Sequence, residues 1–177
     1  WMPKTEAPDF TALEHPEFRV ISQARHIKKL RPGDLLGNRF QILLREVKGD
    51  RTAIERNLSL GQQYGVPNYF GPQRFGLAGD NVANGMAMLK REIRVRNKKK
   101  KGIYLSSVRS FLFNEVLAAR IRSGLWGQSL TGDILTDEGV ATGPMWGRGR
   151  LTTTDDALAL ESEIAAQHPE LCEGLEF

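Results

Sequence analysis

Aromatic rings, amides and an arginine lie close together between positions 66 and 76, where an ordinary loop would be only polar. A ring such as Phe70 can stack on a nucleobase, and the amides of Asn68 and Gln73 can donate and accept hydrogen bonds at its edge. Arg74 adds a planar cation, and the glycines let a ligand approach the backbone closely. These residue types suit a base together with a phosphate. The alternative interpretation is an aromatic turn that packs into a protein core.

Chemistry on a nucleobase in RNA needs the base outside its stack, which costs a few kcal/mol. Stacking on an aromatic ring is worth about 1 to 3 kcal/mol per base and offsets much of that cost. Asn68, Phe70 and Arg74 are therefore a suitable set for holding an extruded base. The segment favours RNA binding with chemistry on a base.

The net charge of +4 hides an uneven distribution of charged residues. No acid interrupts the basic residues within 19–31, and Glu92 alone interrupts those within 90–101. After Arg150 the chain carries acids and neither lysine nor arginine. Basic clusters bind phosphate backbones through the release of counterions, although a lysine run can equally be a solvated loop.

Several other classes of protein are excluded by residue usage. The histidines and the cysteine lack the spacing of zinc ligands, and residues 147–150 lack the lysine of a phosphate-binding loop. A lone cysteine, Cys172, allows no internal disulfide, and no apolar stretch approaches the roughly 20 residues that cross a bilayer. We therefore expect a cytoplasmic protein that binds neither metal nor membrane.

The first half of the chain reads as two strands and a helix. Alternating side chains predict strands at 18–23 and 39–47. Thr52 and Glu55 form a capping-box pattern, so a helix is predicted to begin near Thr52. The same helix is predicted to end at Tyr64, because Gly65 suits a left-handed cap and a proline follows shortly.

The second half reads mainly as helices. An apolar stripe over 104–123 is the strongest helical pattern in the chain and indicates the core. Glycines within 129–146 predict turns and short strands instead. Two further helices are predicted, at 81–91 and 155–167.

Written as NYFGPQRFG, the aromatic segment resembles a motif of the TruD family of tRNA pseudouridine synthases. Three further segments resemble the same family in the same order along the chain, and the resemblance runs from Trp1 to about Gly147. These segments are the basic stretch 24–31 with the strand region 36–45, then 96–98, then 105–114.

This resemblance implies an α+β fold. Residues 1–89 would be part of the pseudouridine synthase catalytic domain, with a mixed or antiparallel sheet and flanking helices, and residues 90–177 part of the family's inserted domain. The implied activity is isomerisation of uridine to pseudouridine in tRNA, at position 13 of the D-arm. The implied partner is tRNA, the family needs no metal or organic cofactor, and we expect a monomer.

The resemblance also assigns roles to single residues. Phe70 would stack on or pack beside the target uracil and Asn68 would hydrogen-bond the substrate, and these two are the candidate catalytic residues. Arg74 would support the loop or contact phosphate. The nucleophilic aspartate belongs to a G-x-K-D motif upstream of the matching segment, and this sequence does not contain that motif. We therefore expect a piece of a longer enzyme that is inactive alone. The candidate RNA-binding residues are Arg25, His26, Lys28, Lys29, Arg31, Arg74, Arg96, Asn97, Lys98 and Lys99.

Two other interpretations use the same residues. The basic and aromatic surface could belong to an RNA-binding module without chemistry. It could also belong to a protein-interaction domain whose lysine run is solvated surface, and then RNA affinity would show no steep dependence on salt.

Overall fold

The computed structural model describes residues 9–10, 13–25, 27–29, 31, 34, 37, 39–76 and 78–176. Its contacts divide the chain into two compact units, Trp1–Gly49 and Asp50–Phe177. None of the helices in these described ranges has the length and apolar character that a membrane crossing requires.

The first unit contains a short antiparallel pair of strands, β1 (Glu14–His15) and β2 (Phe18–Arg19). Glu14 lies opposite Arg19 and His15 opposite Phe18, and the rings of His15 and Phe18 stack with their centroids 4.6 Å apart. The strand predicted at 18–23 is therefore confirmed only over its first two residues.

The second predicted strand, at 39–47, is wrong for this structure, which places these residues outside any strand. A strand requires a neighbouring segment that completes its ladder of backbone hydrogen bonds. Within the described part of the chain 39–47 has no such neighbour, and Phe40 and Ile42 are 78% and 77% exposed. Helices and one small antiparallel ladder are thus present, whereas the larger sheet expected for the α+β fold is not seen in the described residues.

The second unit is helical. In chain order its helices are α1 (Arg51–Tyr64), α2 (Pro72–Phe75), α3 (Asp80–Leu89), α4 (Lys98–Arg122), α5 (Asp155–Gln167) and α6 (Pro169–Glu176). The predictions of α1, α3 and α5 are confirmed within two residues at each end, whereas α6 was not predicted. Residues 129–146 are irregular as predicted, with an isolated bridge between Leu135 and Ala141.

The ends of α1 follow from its flanking residues. Asp50, rather than the predicted Thr52, is the N-cap, and its side chain accepts a hydrogen bond from the Thr52 amide at 3.0 Å. At the other end the Gly65 N–H donates to the Gly61 carbonyl, and Gly65 has a positive φ of 78°. With its ψ at −172°, Gly65 does not adopt the predicted left-handed helical conformation, but α1 ends at Tyr64 as predicted. A residue with a Cβ would be strained at this φ.

Helix α4 forms the centre of the second unit. Its predicted apolar stripe is confirmed, since Val108, Leu112 and Val116 are buried in one cluster with Trp146 and side chains of α5 and α6. Helix α3 crosses α4 closely at Gly85, where a Cβ would lie 2.6 Å from Val108 Cγ2. This packing makes α4 a rigid support for the segments that lie on its surface.

Buried polar side chains also occupy this unit. Glu161 on α5 is fully buried, and its Oε2 accepts a hydrogen bond of 2.7 Å from the Thr153 hydroxyl. Its Oε1 has no hydrogen-bond partner within the described residues. Burial raises the pKa of Glu161, although the Thr153 hydroxyl and the charge of Arg120 act in the opposite direction.

Glu161→Gln is expected to stabilise the chain at neutral and alkaline pH. A raised pKa means that the folded wild type binds more protons than the unfolded chain, so its stability falls as pH rises from about 4.3 through the folded-state pKa. Glutamine keeps an acceptor for Thr153 and removes this titration. Urea unfolding between about pH 4 and about pH 8 measures the effect. Glu163→Gln on the exposed side of α5 is the control, and equal pH profiles for the two variants would contradict the assignment.

Candidate nucleic-acid interface

A groove of about 860 Å³ lies between the aromatic segment, the start of α3 and the first turns of α4. Its lining combines an aromatic ring, a guanidinium, an ammonium, amides and a hydroxyl, together with two glycines and an isoleucine. The lining residues are Phe70, Gly71, Gln73, Arg74, Asn81, Lys99, Gly102, Ile103 and Ser106. Three of the predicted site residues, Phe70, Arg74 and Lys99, are therefore brought together around one space.

The aromatic segment is held against α4 by side chains of that helix. The Phe70 N–H donates to Asn114 Oδ1 at 3.0 Å, and Asn114 Nδ2 donates to the Phe70 carbonyl at 3.0 Å. One turn of helix, α2, follows directly, beginning at Pro72, whose missing N–H is not needed there. The Ser107 hydroxyl donates to the Arg74 carbonyl at 2.9 Å. The backbone is thus fixed at both ends of 70–74.

The Phe70 ring is half-buried and lines the groove. Its neighbour on α4 is Phe113, which meets it edge to face with the ring centroids 5.3 Å apart. The Arg74 guanidinium carbon lies 5.2 Å from the Phe70 ring centroid, and Arg74 Nη1 donates to the Ser106 hydroxyl at 3.0 Å. The ring is therefore oriented by its neighbours without being sealed in the core.

The polar side of the groove carries positive charge. Lys99 comes from the first turn of α4, and that turn contains no acidic residue. The amino end of a helix adds a partial positive charge of its own. Lys99, the amino end of α4 and Arg74 together suit a ligand that carries an anionic group beside a planar group.

The other predicted residues of the second unit lie around the groove or serve the fold. Asn68 is exposed and does not line the groove, and Arg96 and Lys98 are exposed beyond its lining. Asn97 is the N-cap of α4, since its Oδ1 accepts a hydrogen bond from the Lys100 amide at 3.0 Å. This cap extends α4 six residues before the predicted start, so the lysine run lies in a helix and not in a loop.

The predicted basic residues of the first unit are exposed where the structure describes them. Arg25, Lys29 and Arg31 are all exposed, and Lys28 forms an ion pair of 3.0 Å with Asp34. His26 lies outside the described residues. The predicted binding role of this stretch stays a prediction.

The α4 residues that hold the aromatic segment lie within the 105–114 segment but were not among the predicted site residues. Phe113 and Asn114 follow Ser106 and Ser107 by seven residues, which places the two pairs on the same side of the helix two turns apart. That spacing is the signal that could have grouped them. Which distant segment they contact could not be read from it. Within the described ranges no group of three His, Cys, Asp or Glu side chains is placed to hold a metal ion.

Comparison with known proteins places the chain in a family. The sequence model of tRNA pseudouridine synthase D (TruD) matches residues 2–99. The tRNA pseudouridine synthase D of Hydrogenovibrio crunogenus is 35% identical over 197 residues, covering 99% of this chain and 57% of the relative. The protein of the same name from Vibrio campbellii is 37% identical, covering 96% of this chain and 56% of the relative.

A third relative extends the comparison at higher identity. The tRNA pseudouridine synthase D of Colwellia psychrerythraea is 41% identical over 179 residues, covering 88% of this chain and 48% of the relative. The chain thus spans about half the length of the curated relatives it matches. Since the family model covers more than half of the chain, and the NYFGPQRFG segment that lines the groove lies inside that match, the chain belongs to the TruD family.

Proposed function

We propose that this chain is part of a tRNA pseudouridine synthase, an isomerase that converts uridine in tRNA to pseudouridine. The family match and the names of its relatives support the reaction class. The observation that carries the proposal is the half-buried Phe70 ring beside a groove with Arg74 and Lys99. A ring with open space next to it can take a stacked base, whereas the alternative of an aromatic core turn requires a sealed ring.

In this proposal the groove receives an everted uridine. Phe70 stacks on the uracil, and Arg74 and Lys99 contact the flanking phosphates. Asn68, which is exposed two residues before Phe70, hydrogen-bonds the substrate. The other predicted cations contact the RNA backbone elsewhere, and they are Arg25, Lys28, Lys29, Arg31, Arg96 and Lys98.

The chemistry is a rearrangement without loss of atoms. The bond between ribose C1′ and uracil N1 breaks, the base turns, and a bond forms between C1′ and C5. C5 releases a proton and N1 gains one. The residues of this chain bind and orient the base, while the G-x-K-D motif that the resemblance implies for the nucleophilic aspartate does not occur among these 177 residues. We propose uridine 13 of the D-arm as the target, and a cytoplasmic monomer as the working form.

Release of tritium from tRNA transcripts labelled at uridine C5 tests the function. The complete product of the gene that encodes this chain is expected to release the label from one position, and the chain of 177 residues by itself is expected to release none. Tight tRNA binding without release by the complete product would overturn the enzyme proposal in favour of an RNA-binding module. Release from a position other than 13 would overturn the assigned target alone.

Lys99→Ala is expected to flatten the salt dependence of tRNA binding. Each phosphate contact that is lost reduces the slope of log K against log salt by about 0.7 to 0.9. Lys101→Ala is the matched control, because it lies in the same helical turn but not among the lining residues. Filter binding across a series of salt concentrations measures both slopes. Equal slopes for the two variants would contradict a particular phosphate contact by Lys99, because Lys101, which lies outside the groove, would then contribute as much.

A further inference from the structure

The side-chain amide of Asn114 forms hydrogen bonds with both polar groups of the Phe70 main chain. The two hydrogen bonds, each 3.0 Å, join residues 44 positions apart in the sequence. They reproduce the pair of bonds that two opposite residues exchange in an antiparallel ladder. Because asparagine offers an acceptor and a donor in one plane, one side chain satisfies both the N–H and the carbonyl of Phe70.

The side chain of Phe70 is held by a second contact with α4. Phe113, the residue before Asn114, meets the Phe70 ring edge to face. Helix α4 is itself anchored, since Leu112 and Val116 on either side are buried in the core. The position of the Phe70 ring relative to the groove is therefore set from α4.

We propose that Asn114 is a positioning residue for the isomerisation, which holds the Phe70 ring in the pose that stacks on the everted uracil. The inference rests on the proposed function. Asn114 does not line the groove and so acts through Phe70, without touching substrate. A misplacement of about 1 Å in an active site can cost about a hundredfold in rate.

Two substitutions separate the hydrogen bonds from packing. Asn114→Ala removes both bonds and is expected to lower kcat about 10- to 100-fold with little change in tRNA affinity. Asn114→Asp keeps the acceptor for the Phe70 N–H but places a carboxylate against the Phe70 carbonyl. A protonated aspartic acid regains one O–H donor and matches asparagine. The kcat of Asn114→Asp relative to wild type is therefore expected to rise as pH falls from about 8 toward the ordinary aspartic acid pKa of about 3.9.

Val116→Ala is the control for lost stability, since Val116 lies on the same helix and is buried in the core. The measurements are single-turnover tritium release by the complete gene product, thermal unfolding, and the NMR shift of the Phe70 amide proton. The amide shift is expected to change in Asn114→Ala and not in Val116→Ala. If kcat falls in both alanine variants in proportion to the loss of Tm, or if Asn114→Asp shows no recovery at low pH, the positioning role is overturned. Absence of release by the wild type would instead overturn the proposed function and this inference with it.

Discussion

Phe70→Ala is expected to lower single-turnover conversion of uridine in tRNA by roughly 5- to 150-fold, the equivalent of about 1 to 3 kcal/mol of lost stacking. The affinity for tRNA changes far less, because one contact is lost from an interface that the cations dominate. The Phe70 ring lines the groove beside Phe113 and Arg74, so under the proposed function its removal takes away the surface on which the base stacks. Tritium release and filter binding on the same preparations give the two quantities.

Tyr69→Ala is the matched control for this experiment. Tyr69 is the adjacent aromatic residue, it is 43% exposed, and it does not line the groove. Its loss is expected to leave both conversion and binding close to wild type. Equal loss of conversion and affinity in Phe70→Ala would contradict the stacking role and return Phe70 to a general binding surface.

Local signals explain which elements could be predicted from the sequence. The end of α1 needs only Gly65 and the proline after it, and α5 needs only its own periodicity and first-turn acids. The start of α4 depends on one cap, Asn97, and the lysine run hid it because charge runs are usually interpreted as solvated loops. Residues 39–47 alternate like a strand, yet a strand also needs a partner segment, which periodicity does not supply.

The residues of the candidate site differ in the same way in whether the sequence could predict them. Phe70, Arg74 and Lys99 were predicted from residue type, because stacking and phosphate contact require rings and cations. The two hydrogen bonds between Asn114 and Phe70 depend on which segments meet in the fold, 44 positions apart in the sequence. A single sequence does not indicate which distant segments come into contact. Asn68 shows the converse, since its amide suits a base edge while the structure places it outside the groove lining.

Arg120→Met is expected to lower the free energy of unfolding by about 3 to 5 kcal/mol, because it leaves the buried carboxylate of Asp133 without its partner. The Asp133 side chain is 1% exposed. It accepts two hydrogen bonds from the Arg120 guanidinium and one of 2.7 Å from the Leu130 amide. Burial opposes ionisation of Asp133, but these hydrogen bonds together hold its pKa below the ordinary value. Urea unfolding of the two chains at neutral pH measures the difference.

The pH dependence distinguishes a lost ion pair from lost packing. A lowered pKa means that Asp133 contributes stability above its unfolded-state pKa and loses it as pH falls. In Arg120→Met, burial still opposes ionisation of Asp133 but the guanidinium no longer favours it, so Asp133 takes up a proton more readily. The difference in free energy of unfolding between the variant and wild type therefore narrows as pH falls. A gap that stays constant with pH would attribute the loss to packing of the arginine stem.

Lys90→Met is the control for an ion pair in solvent. The side chains of Lys90 and Glu170 lie 2.9 Å apart and are 40% and 49% exposed, so solvent screens their attraction and Lys90→Met is expected to lower stability far less than Arg120→Met. The irregular segment that carries Asp133 also packs closely against α4. Asp133 belongs to the irregular segment that carries Gly143, and Gly143 leaves no room for a side chain against the Phe113 ring. Phe113 in turn meets Phe70 edge to face, so a continuous series of contacts runs from this irregular segment to the Phe70 ring.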